Sequence, residues 1–207
     1  MVPNLVAGVD EVGRGSLFGP VVAAAVILPP LALPILTQAG VTDSKQISAK
    51  RRSTLFPQIQ SLALDCCVGL ASVHEIDRLN ILQASLLAMK RAIYRLKVQP
   101  TLCLVDGNRP IPQLSIPQQT LVKGDQRELA IAAASIIAKV WRDQLIVRLA
   151  AKYPGYDLEA NKGYGSAQHR QALQQLGPSR QHRLSFAPCR VRSSLGHLRY
   201  PTSLDRD

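Results

Sequence analysis

Apolar residues fall along this chain with two different periods. Near the N-terminus they come as short dense runs, Leu5 to Val12 and Val21 to Leu28, rich in valine and alanine and separated by a glycine-rich turn. Runs of that length, bounded by turn residues, predict two strands joined as a β-hairpin. Leu62 to Ala71 predicts a third strand, Thr101 to Val105 a short buried one, and Gln119 to Val122 an edge strand. Elsewhere the spacing lengthens. Asn80 to Leu96 carries Ile81, Leu82, Leu86, Met89, Ile93 and Leu96 at helical intervals. Ser48 to Ile59 reads as a helix with Ser48 as its N-cap, and Glu128 to Ala151 is the longest helical stretch. Gly163 to Gly165 is a loop, and Ala167 to Leu176 is a last helix stopped by Gly177-Pro178. Strands come first and then alternate with helices, the order of an α/β domain with a mixed sheet.

The chain has 207 residues, 46% of them hydrophobic, which suffices for one core without covalent staples. From about Ala187 the pattern fades into an irregular basic tail, so a domain over 1–188 and a tail over 189–207 are expected. Cys66, Cys67, Cys103 and Cys189 include no pair at zinc-ligand spacing and read as reduced thiols. The most apolar stretch, Val21 to Leu36, is interrupted by Pro29, Pro30 and Pro34, which argues against a spanning helix. With no leader pattern near Met1, a cytoplasmic protein with no membrane partner is expected. No heptad or aromatic stripe suggests assembly, so a monomer is expected.

Charge adds the first functional hint. Lysine and arginine number 25 against 14 acids, a net charge of +11, and the pI is near 10.0. Such a field attracts polyanions whatever their sequence. It does not choose between binding a nucleic acid and cutting it.

The few acids are therefore informative. Asp10 and Glu11 end an otherwise apolar strand and are followed by Gly13-Arg14-Gly15; Asp106 ends a second strand before Gly107; Asp125 precedes the long helix. A carboxylate at the end of a buried strand is costly unless it is paired or binds a cation. If these strands are neighbours, their acids converge at the carboxyl ends of the sheet. Mg²⁺ or Mn²⁺ suits such a cluster, and two ions about 4 Å apart clamp an in-line displacement at phosphorus. A basic protein with an acidic centre reads as a nuclease. Other readings stand beside this one. Asp125 with Glu128 matches a helix capping box, and Asp106-Gly107 matches a turn. Glu11 joins Asp10 only if the strand ends or bulges there, because successive strand residues face opposite ways. A basic binding protein without catalysis, or a DNA nuclease of resolvase or transposase type, are the rival functions. An NTPase is disfavoured, since no Gly-Lys-Ser/Thr closes a glycine-rich run.

Several blocks resemble one family. They are Ala7-Gly8-Val9-Asp10-Glu11-Val12-Gly13-Arg14-Gly15, Asp43-Ser44-Lys45, His74-Glu75-Ile76-Asp77 leading to Asn80, and Val105-Asp106-Gly107-Asn108. Val122-Lys123-Gly124-Asp125, the run Ala132 to Val140 with Arg142-Asp143, Lys162-Gly163-Tyr164 and His182-Arg183-Leu184-Ser185-Phe186 follow in order. Together they resemble the type 2 ribonucleases H, bacterial ribonuclease HII, over roughly Val6 to Pro188. The resemblance implies an RNase H-like α/β fold: a central mixed sheet flanked by helices, with a C-terminal helical segment. It implies Asp10, Glu11, Asp106 and Asp125 as catalytic metal ligands for Mn²⁺ or Mg²⁺, with Asp143 as a supporting residue. It implies an endonuclease that cuts the RNA strand of RNA–DNA hybrids and incises 5′ to single ribonucleotides in duplex DNA, leaving 3′-hydroxyl and 5′-phosphate ends. Gly13, Arg14 and Gly15 then offer backbone that approaches a ribose and its 2′-hydroxyl. The resemblance also implies Tyr164 as a stacking contact at the RNA–DNA junction, where a loop tyrosine otherwise reads as a packing residue. Lys45, Lys139 and Arg142 are candidate phosphate contacts beside their reading as solvated surface cations, and Ser44, Asn80, Asn108 and Ser135 are candidate supports of the site. Leu184 stands where the family often has a second basic residue.

Overall fold

A computed structural model describes residues 5–42, 44 and 46–190. Five strands form one mixed sheet: β1 (Val6–Val12), β2 (Val21–Ile27), β3 (Asp65–Ala71), β4 (Leu102–Asp106) and β5 (Gln118–Leu121), in the order β3-β2-β1-β4-β5. The predicted hairpin is there: β2 pairs antiparallel with β1, and β3 antiparallel with β2. β4 runs parallel to β1, and β5 parallel to β4.

β2 is buried along its whole length because both faces of the sheet are covered. On one face Ala7, Val9, Ala23 and Ala25 pack with Ala88, Met89 and Ala92 of helix α4 (Ile81–Tyr94). On the other, Val22, Ala24 and Val26 pack with α2 (Ala49–Leu62) and with α5 (Leu129–Ala150). The two long helices approach so closely because a glycine faces each. A Cβ on Gly8 would lie 2.1 Å from the Ala130 carbonyl carbon of α5, and one on Gly69 would lie 2.3 Å from the Ala88 oxygen of α4. α5 is thereby pressed onto β1, and its inward side chains reach the end of that strand.

Three short helices depart from the sequence expectation. The first, α1 (Ala32–Gln38), contains Pro34 in its opening turn, where a missing N–H costs no intrahelical bond. The second, α3 (Val73–Leu79), starts at Ser72 with a complete Ser72–Glu75 capping box, a signal present in the sequence. The third, α6 (Leu158–Asn161), precedes the Tyr164 loop. α7 (Ala167–Leu176) matches its expected bounds. Leu173 of α7, Tyr156, Ile146 of α5 and Leu17 with Phe18 from the β1–β2 loop make a third core. Ala187–Cys189, expected as irregular tail, forms a 3₁₀ turn whose Cys189 enters that core. Among the described residues no helix is long and apolar enough to cross a membrane.

Candidate active site

Strand register brings the first two acids together. β1 and β4 are matched at Val9–Val105, and Asp10 and Asp106 are the next residue on each strand. They leave adjacent parallel strands on the same face, the one covered by α5. Asp10 is 6% exposed; its Oδ1 accepts the Glu11 N–H at 2.7 Å. Asp106 Oδ1 accepts the Gly124 N–H at 2.7 Å, which ties the loop carrying Asp125 to the same strand end. Burial, then Glu11, then Asp106 push the Asp10 carboxyl well above the usual carboxylate range. Hydrogen bonds from Ser135 and the Glu11 N–H oppose the shift without cancelling it.

Glu11 reaches the cleft without the bend that strand alternation predicts. β1 continues in regular register through Glu11–Ala23 and Val12–Val22, so Glu11 faces away from Asp10. Pairing with β4 has already stopped at Val9, however, and the open edge beyond it lets both acids line one cleft. Glu11 also accepts Nη1 of Arg14 at 3.2 Å. Asp125 is buried in a 3₁₀ turn, Gly124–Gln126, ahead of α5. The capping-box reading does not hold: α5 begins after Glu128, which occupies the N-cap position itself and makes no side-chain cap.

The remaining cleft wall is Val12, Ser44, Arg52, Ser135, Lys139 and Tyr164. Ser44 and Ser135 share a hydrogen bond of 2.7 Å between their hydroxyls. Lys139 pairs with Asp143 at 2.8 Å, one turn on along α5, so Asp143 sits in an ion pair and not in the acid group. The Lys139 Nζ lies 5.4 Å from the centre of the Tyr164 ring. Arg52 was missed in the sequence, where it is one of several helix cations. It lines the cleft and donates to the carbonyls of Ser44 (2.6 Å) and Ile47.

Three expected substrate contacts, Arg142, Gly13 and Asn80, are corrected. Arg142 is fully buried and its guanidinium is spent inside: Nε on the Pro20 carbonyl (3.1 Å), Nη1 on Lys162 (3.0 Å), Nη2 on the Ser16 hydroxyl (2.7 Å) and the Phe18 carbonyl (2.9 Å). It fastens the β1–β2 loop to the Tyr164 loop instead of meeting phosphate. Gly13, at φ +88°, is glycine because a Cβ there would meet Arg142 Nε at 2.2 Å; a Cβ on Gly15 meets nothing within 4 Å, so Gly15 is the open position. A second buried arginine, Arg183, holds the Gly19 and Arg14 carbonyls at 3.0 and 2.9 Å. Asn80 caps α4 through Gln83 N–H at 3.1 Å and does not line the cleft. Asn108 is exposed just beyond β4. Lys45 lies outside the described residues, as does the tail from 191.

A donor set of carboxylate and hydroxyl oxygens suits a hard divalent cation. Among the described residues no three His, Cys, Asp or Glu side chains close into a ready cage. Burial beside Glu11 and Asp106 makes the Asp10 carboxyl harder to ionise, a penalty that a bound cation would offset.

The ribonuclease HII family model matches residues 7–189. The chain belongs to the ribonuclease HII family. It is 68% identical over 186 residues to ribonuclease HII of Acaryochloris marina, covering 90% of this chain and 94% of that one. It is 66% identical to the enzyme of Trichodesmium erythraeum, covering 89% and 88%. Among solved structures, ribonuclease H2 from Pyrococcus horikoshii superposes with a TM-score of 0.77 at 28% identity, covering 90% and 95%. Bst ribonuclease HIII superposes at 0.74 with 20% identity, covering 90% and 68%, which is a likeness of fold. The fold is thus the RNase H-like α/β fold, and the activity is that of ribonuclease HII, an endoribonuclease cutting RNA in RNA–DNA hybrids.

Proposed function

We propose that this ribonuclease HII also incises duplex DNA on the 5′ side of a single embedded ribonucleotide, leaving 3′-hydroxyl and 5′-phosphate ends. The observation that carries the proposal is one cleft lined by Asp10, Glu11 and Tyr164 together, with the open Gly15 in the loop that follows β1. Asp10, Glu11, Asp106 and Asp125 would hold Mn²⁺ or Mg²⁺; the Bst ribonuclease HIII structure is a complex with Mn²⁺. When bound, such ions activate the attacking water and offset charge on the leaving oxygen. The raised proton affinity of Asp10 fits a group whose intended partner is a cation.

The protein's own groups supply position. Gly15 presents bare backbone, so a sugar can approach closely enough for its 2′-hydroxyl to be told from hydrogen. Tyr164 offers an aromatic face for the nucleotide at the junction. Lys139, Arg14 and Arg52 set positive charge around the cleft for the phosphates on either side. Arg142 and Arg183 act behind this surface by holding its loops.

The test is cleavage of duplex DNA carrying one ribonucleotide, beside the same duplex with that 2′-hydroxyl replaced by hydrogen. Cutting of the first alone, dependent on added Mn²⁺ or Mg²⁺ and abolished by chelation, is the expected result. Cutting of both would point to a DNA nuclease and sink the proposal.

A further inference from the structure

The loop that carries Tyr164 is held from behind by two buried histidines with no part in the chemistry above. His169 of α7 and His182 are 0% and 1% exposed, and their Nε2 atoms lie 3.0 Å apart. Such a bond needs one ring to donate and the other to accept, so two neutral rings must be opposite tautomers. The outer partners settle which is which. His169 Nδ1 lies 2.9 Å from the Tyr164 carbonyl oxygen, which only accepts, so this nitrogen carries the proton. His182 Nδ1 faces the Ser179 backbone N–H at 2.9 Å, which only donates, so this nitrogen is bare. His182 must then donate through Nε2 to His169 Nε2. One directed chain results: Ser179 N–H to His182, His182 to His169, His169 to the Tyr164 carbonyl.

A proton added to either ring sets a donor against a donor. Burial enforces the same neutrality, pushing His182 down to about 3 and His169 down as well. Phe18 stands edge-on to His182 at 5.0 Å and Tyr156 lies 4.6 Å from it, between ring centres. Both walls matter for the site. Phe18 belongs to the loop that follows Gly15, and Ser16 of that loop bridges to Tyr164. The Tyr164 carbonyl also accepts the Ser166 N–H at 2.9 Å, so the histidine supplies the side-chain half of its anchorage and links it to α7.

We propose that His169 and His182 are positioning residues, whose directed hydrogen-bond chain sets where Tyr164 stands and thereby how well a lone ribonucleotide is cut. The inference rests on the reading of Tyr164 as the junction contact. A continuous hybrid offers a cleavable phosphate at every register and tolerates a displaced ring. A single ribonucleotide offers one.

Two substitutions of His169 separate the tether from the fold. In His169→Asn the side-chain amide takes the place of Nδ1 and keeps a donor for the Tyr164 carbonyl. In His169→Gln the amide reaches the place of Nε2, keeping His182 and dropping Tyr164. With Mn²⁺, His169→Gln is expected to lose about tenfold or more in kcat on the single-ribonucleotide duplex, with KM little changed and hybrid cleavage within about threefold. His169→Asn is expected to stay within about threefold of wild type on both substrates. Equal losses in the two variants, or on the two substrates, overturn the proposal. If wild type leaves the single ribonucleotide uncut, the functional reading fails, and the positioning role with it. A measurement on wild type stands apart from variant folding. NMR of the ring nitrogens is expected to show His169 protonated on Nδ1 and His182 on Nε2 at neutral pH; reversed tautomers, or a charged ring, overturn the chain.

Discussion

Asp10 and Glu75 are carboxylates at the same end of one sheet, in opposite circumstances. Val12 of β1 pairs with Val22, and Ala71 of β3 with Val21, so the two strand ends are level. Glu75, just past β3, is answered by the protein. Arg91 donates to both of its oxygens at 2.9 and 2.7 Å, the Ser72 N–H adds a third bond at 2.9 Å, and its carboxyl is held down to about 2. Asp10 has acids for neighbours, Glu11 and Asp106, and its carboxyl is pushed the other way. An acid at a strand end is therefore not in itself a sign of chemistry. Its sign is a carboxyl that the fold has buried among other acids.

That difference predicts opposite outcomes for isosteric changes. Asp10→Asn is expected to lower kcat by about a thousandfold or more, while the metal-free protein unfolds a few degrees higher because repulsion with Glu11 and Asp106 is relieved. Retained cleavage, or a lower unfolding temperature in the absence of metal, would break the contrast. Cation linkage gives the next largest effect. Mn²⁺ at a hundred times its Kd stabilises a single-site protein by about 2.7 kcal/mol, so the wild-type unfolding temperature should rise with added Mn²⁺. That of Asp10→Asn should rise far less. Equal rises in the two proteins would place the bound ion elsewhere.

Much of this was legible in the chain because its apolar periods are clean. The β1–β2 hairpin, α4, α5 and α7 lie within a residue or two of where hydrophobic spacing put them. The acids of β1 and β4 were legible as strand ends, but their meeting depends on the parallel register at Val9–Val105, which no local pattern encodes. Arg142 shows the opposite difficulty. On a long helix it reads as a surface cation, and only the carbonyls of Pro20, Phe18 and Lys162, distant in sequence, draw it inside. The glycines misled in the same way. Gly13 is needed for that arginine's bulk, and Gly15 alone leaves the backbone open. His169 and His182 gave no separate signal, since one lies on a short helix, the other follows it, and their bond is tertiary.

Glu75→Gln should behave as the mirror of Asp10→Asn. Cleavage of hybrid changes little, and the protein loses about 1–3 kcal/mol because a charged hydrogen-bond acceptor is removed from Arg91 and Ser72. A loss of activity out of proportion to stability would tie α3 to the site and weaken the contrast.

The smallest effect is the most specific to the pairing. Glu75 has a folded pKa of about 2 against an ordinary 4.5, so its contribution to stability is complete above about pH 4.5. It is lost as the pH falls towards about 2, where the folded protein takes up the proton too. His182 acts over a window that opens at higher pH. Its folded pKa of about 3 against an ordinary 6.5 means that the unfolded chain gains a proton first, and stability declines from about pH 6.5 downward. Wild type and Glu75→Gln share that histidine, so their urea midpoints should fall in parallel from about pH 7 to about pH 5. Below about pH 4.5 the gap between them should narrow by on the order of 1 kcal/mol, because only wild type has a Glu75 charge to lose. A gap that stays constant to about pH 3 would mean that Glu75 contributes through its capping geometry, with its charge satisfied no better than that of Asp10.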